Sequence, residues 1–401
     1  MYIRSLSLRH FRTYTRLELD LPAAPILLIG ANAQGKTSLL EAIAYLALGH
    51  SPLTATDQHL LNWRAAEQGM PFAQVQAEVV KKRQTETLEI ALQRAQLNNG
   101  NARLGKRIRV NNHPVRRADL AGHLNTVIFL PEDVGLLGGA PAGRRRRLDD
   151  LLSQLYPEYV TALTRYQATL SRRNVLLRHL RERGGDRAQL EPLEGILAQT
   201  GVLLADYRQR AVIALSLHAD RFHQELTGGK AWLQLQYRAG FAAAQPQAVQ
   251  YRLALAAEQV PQQQSNLADL EILYRETLLK QRDKELLRGI TLMGPHRDDI
   301  RFLSENVDLG DFGSRGQQRS AVLAWQLAEL HWLQQLTGDT PVLLLDEVLA
   351  ELDRARRGYL LDLLGRVEQT ILATTDADLF PSSFRQNALT FEVNEGIVTQ
   401  V

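Results

Sequence analysis

Two apolar runs, each ending in polar residues of a particular kind, stand far apart in this chain and must meet if it is to work. They limit the fold more than any other feature. The first lies within "ILLIGANAQGKTSLLEAI" at 26–43 and fits G-x-x-x-x-G-K-[ST] at Gly30, Gly35, Lys36 and Thr37. An apolar strand, Ile26–Ile29, leads in, and a helix from Lys36 to about Leu48 leads out. Backbone N–H groups of Gly30, Ala31, Asn32, Ala33, Gln34 and Gly35, continuing to Ser38, would wrap phosphates, and glycine allows the close approach. Lys36 would neutralise the β- and γ-phosphates, and the Thr37 hydroxyl would ligate Mg²⁺ beside ATP. A chance glycine-rich turn is the bland alternative, and the flanking strand and helix argue against it.

The second run is "PVLLLDE" at 341–347, whose Asp346 follows Lys36 by 310 positions. Asp346 would end a buried strand and hold Mg²⁺ through water, while Glu347 would polarise an attacking water as general base. Two adjacent carboxylates after a wholly apolar strand repel each other unless a cation is near. The alternative is an acidic strand end that caps the next helix.

A chain of 401 residues suffices for two lobes with a generous core. Hydrophobic residues make up 45% and charged residues 23%, and no window approaches a membrane-spanning run. The first segment alternates like a strand and lacks the apolar block of a signal peptide. With no cysteine there is no disulfide framework, zinc-thiolate site or catalytic thiol, which fits a cytoplasmic protein. Net charge is +3, yet 40 arginines stand against 7 lysines. GC-rich codon usage accounts for that as readily as phosphate binding does, so nucleic acid is permitted rather than demanded.

Strand-like alternation marks "YIRSLSLRHF", "RLELDL", "FAQVQAEVV" and "TLEIALQ", with turns expected at 98–101 and 111–114. From about 143 the pattern becomes helical, broken by one strand in "AWLQLQYRAG". "DDIRFLS", "PVLLLDE" and "QTILATTD" restore strands, the last two of buried parallel type. The expected fold is therefore an α/β phosphate-loop head in two halves, 1–142 and 287–401. A mostly helical lobe, 143–286, is inserted between them for dimerisation or DNA.

So wide a split suits an ABC-type ATPase head of the SMC kind. "SRGQQ" (Ser314, Arg315, Gly316, Gln317, Gln318) resembles the ABC signature, which caps the γ-phosphate of ATP held by a second subunit. On that resemblance Ser314 would donate its hydroxyl and Gly316 its N–H, backed by the helix dipole. A plain N-capped amphipathic helix explains Ser314 as well. Glu351, Leu352 and Asp353 stand at the spacing of the family's D-loop, where a capping acid for the 354–364 helix is the other reading. Thr374, Thr375 and Asp376 replace the switch histidine of transporters, and no Q-loop glutamine follows "VIFLPED". Arg12 would reach the nucleotide, by resemblance to SMC heads.

The finer motifs resemble the RecF family of recombination mediators: "LRHFRTY", "FLPEDVGLLGGAPAGRRRRLD", "LSRRNVLL", "LMGPHRDDIRF", "GSRGQQRSAVLAWQLAEL" and "LLLDEVLAELDRARRGYL". The likeness spans essentially the whole chain. Glu347 departs from it, since many RecF chains carry a second Asp there. The resemblance implies an ATP-driven homodimer that binds single-stranded, gapped or junction DNA and hydrolyses ATP slowly under DNA stimulation. It further implies RecR and RecO as partners, RecA as the recombinase loaded, and a cytoplasmic, nucleoid-associated location. A transporter-like ATPase acting on a protein or membrane partner, or a scaffold using ATP structurally, are the alternatives.

For DNA contact, Arg144, Arg145, Arg146 and Arg147 open a helix where positive charge opposes the dipole. Nearby anions would relieve this, either Asp149 and Asp150 in the chain itself or phosphates of DNA. The arginines from Arg172 to Arg183 read as a solvated face. His296 and Arg297 would neutralise Asp298 and Asp299 or position the lobe near the nucleotide, and a structural hinge is the preferred reading.

Overall fold

The computed structural model describes residues 1–67, 72–96, 102–241 and 267–401; the turn expected at 98–101 lies outside them. One six-stranded sheet is antiparallel throughout, in the order β2-β1-β4-β5-β6-β7. Its strands are β1 (Tyr2–Phe11), β2 (Tyr14–Asp20), β4 (Phe72–Val80), β5 (Thr85–Gln96), β6 (Ala102–Val110) and β7 (His113–Val115). Alternation along β4 buries Ala73, Val75, Ala77 and Val79 on one face.

The second six-stranded sheet runs β15-β14-β3-β13-β12-β8. It is built from β3 (Pro25–Ile29), β8 (Thr126–Phe129), β12 (Val342–Asp346), β13 (Thr370–Thr374), β14 (Leu389–Asn394) and β15 (Ile397–Gln400). All neighbours are parallel except β15, which returns antiparallel along β14. Every residue of β12 and β13 is buried, as strands covered on both faces require. Helix Lys36–Leu48 packs into the same apolar core through Leu39, Leu40, Ile43 and Leu46. In this sheet β3, β12 and β13 lie side by side, so their C-terminal ends, which carry the expected site, converge.

The contacts divide the chain into two compact units, Met1–Asp133 with Glu329–Val401, and Val134–Ala328. The expected boundary near 287 falls elsewhere: residues 287–328, including the signature turn, group with the helical segment. Strand pairing is the reason. β10 (Asp299–Ser304) runs antiparallel to β9 (Gln234–Arg238), with β11 (Val307–Asp308) on its other side.

That second unit holds helices Pro141–Leu155, Pro157–Arg183, Glu191–Thr227 and Leu267–Arg288. Proline opens the first two, where its missing N–H costs nothing, and Gly228 at φ 68° ends the third. Its interior is partly ionic. Arg173, fully buried, contacts Glu194 at 2.9 Å and Glu285 at 2.7 Å. No described helix is long and apolar enough to cross a membrane.

Candidate functional site

The loop between β3 and helix Lys36–Leu48 takes a shape few residues allow. Ala33 has φ 65° and Gly35 φ 118°. A Cβ on Gly35 would lie 2.9 Å from Thr13 Oγ1, and one on Gly30 would lie 2.3 Å from Val393 O. Both glycines are therefore fixed by packing, and Gly35 also by its backbone.

Lys36 is buried, and its Nζ donates to the carbonyls of Gly30 at 2.6 Å and Ala31 at 3.0 Å. Thr37 Oγ1 donates to Asp346 Oδ2 at 2.6 Å, joining the two motifs that the sequence separates. Nζ of Lys36 lies 3.5 Å from Glu347 Oε1, close enough for charge attraction but forming no hydrogen bond. Glu347 itself sits at φ 51° and accepts from Thr375 N at 3.2 Å and Thr375 Oγ1 at 3.4 Å. Thr375, one of the three residues that replace the transporter histidine, thus orients the candidate general base.

The donor set has unmet capacity. Asp346 Oδ1 and Glu347 Oε1 are buried without a hydrogen-bond partner. Burial pushes the Asp346 carboxyl above its ordinary range, and the charges of Glu347 and Glu132 push it further. The Thr37 hydroxyl and Lys36 only partly oppose this. A hard divalent cation takes oxygen ligands and would reverse that imbalance. Thr37 and Asp346 therefore offer oxygens of the kind Mg²⁺ takes, with Glu347 beside them.

Arg12, expected at the nucleotide, is committed elsewhere. Its Nε and Nη2 each lie 2.7 Å from a different oxygen of Glu41, and Nη1 donates to His59 O. Glu41, nearly fully buried, sits on the loop's own helix and also accepts from Ser51. Arg12 here braces the helix behind the loop.

The signature turn opens helix Arg315–Thr337. Ser314 Oγ accepts from Gln317 N at 3.3 Å, and Gln317 Oε1 accepts from Ser314 N at 2.9 Å, a reciprocal cap. The serine hydroxyl proton is not used in that cap. Gln318 Nε2 holds the turn from behind, donating to Leu309 O at 2.8 Å. Ser314, Arg315 and Gln317 are exposed. A Cβ on Gly316 would meet nothing within 4 Å among the described residues, and Gly316 is not a positive-φ glycine. Gly310 and Gly313 nearby are different, since a Cβ on either would strike a backbone oxygen at 2.6 or 2.5 Å.

In the expected D-loop, Asp353 caps helix Arg354–Leu364 by accepting from Arg356 N at 2.9 Å, and Leu352 is buried. Glu351 ends the short helical turn Val348–Glu351.

The arginine run corrects the expectation of DNA contact. Arg144 is 2% exposed, and it is tied to Asp299 at 2.8 Å and to the carbonyls of Leu136, Leu137 and Gly139. Arg145 donates to Asp298 O at 2.6 Å, and Arg147 lies over the Trp325 ring. Arg146 is likewise engaged within the chain. For Arg144 the relieving anion is Asp299; Asp149 pairs with Arg208.

Comparison with known proteins places the chain in a family. The family described as "RecF/RecN/SMC N terminal domain" matches residues 2–399. The "DNA replication and repair protein RecF" of Chloroflexus aggregans is 43% identical over 410 residues, covering 99% of each chain. That of Exiguobacterium sp. is 35% identical over 399 residues, again at 99% of each. A solved structure of "the recombination mediator protein RecF-ATP in RecFOR pathway" aligns at a TM-score of 0.82 and 28% identity, covering 100% of this chain and 97% of that one. An Smc head bound to the C-winged helix domain of ScpA aligns at 0.51 and 14% identity, which speaks for the fold alone.

Proposed function

Because the chain belongs to the RecF/RecN/SMC family as a RecF-type member, we propose that it is an ATP-gated DNA-binding dimer of recombinational repair. It is an ATPase of the ABC type, and Lys36, Thr37, Asp346 and Glu347 form its hydrolytic centre. The observation that carries the reading is the pair of bare carboxylate oxygens, Asp346 Oδ1 and Glu347 Oε1, beside Lys36 and Thr37. Thr37 and Asp346 would hold Mg²⁺, which supplies charge neutralisation at the β- and γ-phosphates. Lys36 would exchange its two loop carbonyls for phosphate oxygens. Glu347, oriented by Thr375, would take the proton from the attacking water.

Gly316 supports completion of the site by a second copy. Its backbone angle does not call for glycine and no described residue fills the space beside it, so the turn is open to close approach by a ligand. A γ-phosphate held by a partner's loop is such an object, with Ser314 free to donate its hydroxyl and the helix start favouring the anion. On this reading single-stranded, gapped or junction DNA stimulates a slow hydrolysis, and RecR and RecO are the partners through which RecA is loaded.

Sedimentation with gapped DNA, with and without ATP, tests the proposal. In Glu347→Gln, hydrolysis should fall by about 100-fold while ATP traps the dimer on DNA. Ser314→Arg should bind ATP and remain monomeric. A Ser314→Arg protein that dimerises normally on ATP would remove the trans role.

A further inference from the structure

The phosphate loop is gripped from the far end of the chain. Gln34 occupies a position that the loop motif leaves open to any residue, yet it accepts two hydrogen bonds. Gly396 N–H donates to Gln34 O at 3.0 Å, and Glu395 N–H donates to Gln34 Oε1 at 2.7 Å. These donors sit in the tight turn between β14 and β15, where Glu395 has φ 48° and Gly396 φ 79°. The turn packs closely on Thr13, since a Cβ on Gly396 would stand 2.9 Å from Thr13 O. On the other flank, Gly35 O accepts from Tyr14 OH at 3.0 Å and from Leu39 N at 3.1 Å.

A planar trans peptide points its C=O and the following N–H in opposite directions. Holding Gln34 C=O toward the C-terminal turn therefore aims Gly35 N–H to the opposite side. Holding Gly35 C=O toward Tyr14 and the helix aims Lys36 N–H likewise. These are the donors that a phosphate would meet. We propose that Gln34 and the Asn394–Gly396 turn are positioning residues for the triphosphate, and that nucleotide binding and the C-terminal hairpin are thereby coupled. Pre-aimed donors need no reorganisation on binding, so loss of the grip weakens affinity rather than chemistry. Binding in turn tightens the hairpin, because coupling is reciprocal.

This inference rests on the loop being an ATP site, and the experiment keeps the two apart. In the full chain, ATP turnover and amide hydrogen exchange are measured for wild type, Gln34→Ala and Lys36→Ala. Gln34 is only half-buried, so its alanine variant should fold. Gln34→Ala should raise KM about fivefold, the worth of one hydrogen bond, with kcat changed less than about twofold. ATP should slow exchange at the Glu395 and Gly396 amides in wild type, and should no longer do so at Glu395 in Gln34→Ala. Lys36→Ala should abolish the ATP response throughout. If wild type binds ATP yet the turn's exchange is indifferent to it, or Gln34→Ala leaves KM unmoved, the positioning role is overturned. If wild type and Lys36→Ala are alike in failing to bind ATP, the site reading falls and takes this inference with it.

Discussion

Two acidic dyads, Asp298–Asp299 in one unit and Asp346–Glu347 in the other, begin from similar chemistry and end differently. Burial pushes the carboxyls of both Asp298 and Asp346 above their ordinary range. Around Asp298 the chain gives both carboxylate oxygens partners. Oδ2 accepts from Arg208 Nη1 at 2.7 Å and from Tyr237 OH, and Oδ1 accepts from Gly240 N at 2.6 Å. Asp299 is held by Arg144. Around Asp346 the chain supplies one hydroxyl and a nearby lysine and leaves an oxygen bare. A buried carboxylate with all its partners is architecture, whereas one left short waits for a cation from outside.

The largest effect should come from breaking the satisfied dyad. Arg208→Leu strands Asp298 and Asp149 together, since the arginine also holds Asp149 at 2.9 Å. Denaturant unfolding should show a loss of about 3–5 kcal/mol, part of it recovered when both aspartates become asparagine. Full stability in Arg208→Leu would mean the network is not structural.

Next is the acid sensitivity of the same segment. His296 Nε2 donates to Thr291 O, so its Nδ1 accepts from Tyr166 OH at 2.7 Å in the neutral ring. Burial, then the charges of Arg297, Arg145 and Arg173, lower its pKa to about 4. The unfolded chain therefore binds this proton at a higher pH than the native one does. Stability is intact above about pH 6.5 and is lost as pH falls toward 4, by about 3 kcal/mol in all. The difference between wild type and His296→Gln across that window isolates the contribution, and a flat difference would refute it.

The smallest effect has the opposite sign. The raised Asp346 carboxyl binds its proton more tightly in the native state, so its stability contribution is lost as pH rises through the native pKa. At pH 7.5 without nucleotide, Asp346→Asn should raise the melting temperature by about 2 °C or more while hydrolysis disappears. A lower melting temperature would place Asp346 with the satisfied aspartates.

The sequence carried the parts of the site that are local. The loop, its helix from Lys36 to Leu48 and the apolar β12 all lie where the pattern put them. Harder to read were features whose partner lies far along the chain. Four consecutive arginines look like a surface, and the carbonyls and Asp299 that bury Arg144 are not adjacent, Asp299 lying 155 residues on. The strand β6, "ARLGKRIRV", escaped notice because Gly, Lys and Arg break its alternation. The hairpin of β14 and β15 was legible in principle, as Asn394–Glu395–Gly396 is a turn signal between alternating runs. Its grip on Gln34 spans 361 residues for Glu395 and has no sequence mark. The boundary near 287 falls elsewhere because β10 pairs with β9 and β11 and not with β12 or β13.

The position of β3 at the centre of the parallel sheet bears on how the chain is made. Both neighbours of β3, β13 from Thr370 and β14 from Leu389, come from the last part of the polypeptide. At ribosomal speed, roughly 5–20 residues per second, the finished loop strand waits roughly 20–70 s for its first partner. Through that interval a fully apolar segment is open to misassociation. Chaperone demand should therefore track translation rate, and codon changes between these segments should alter yield without altering the finished protein.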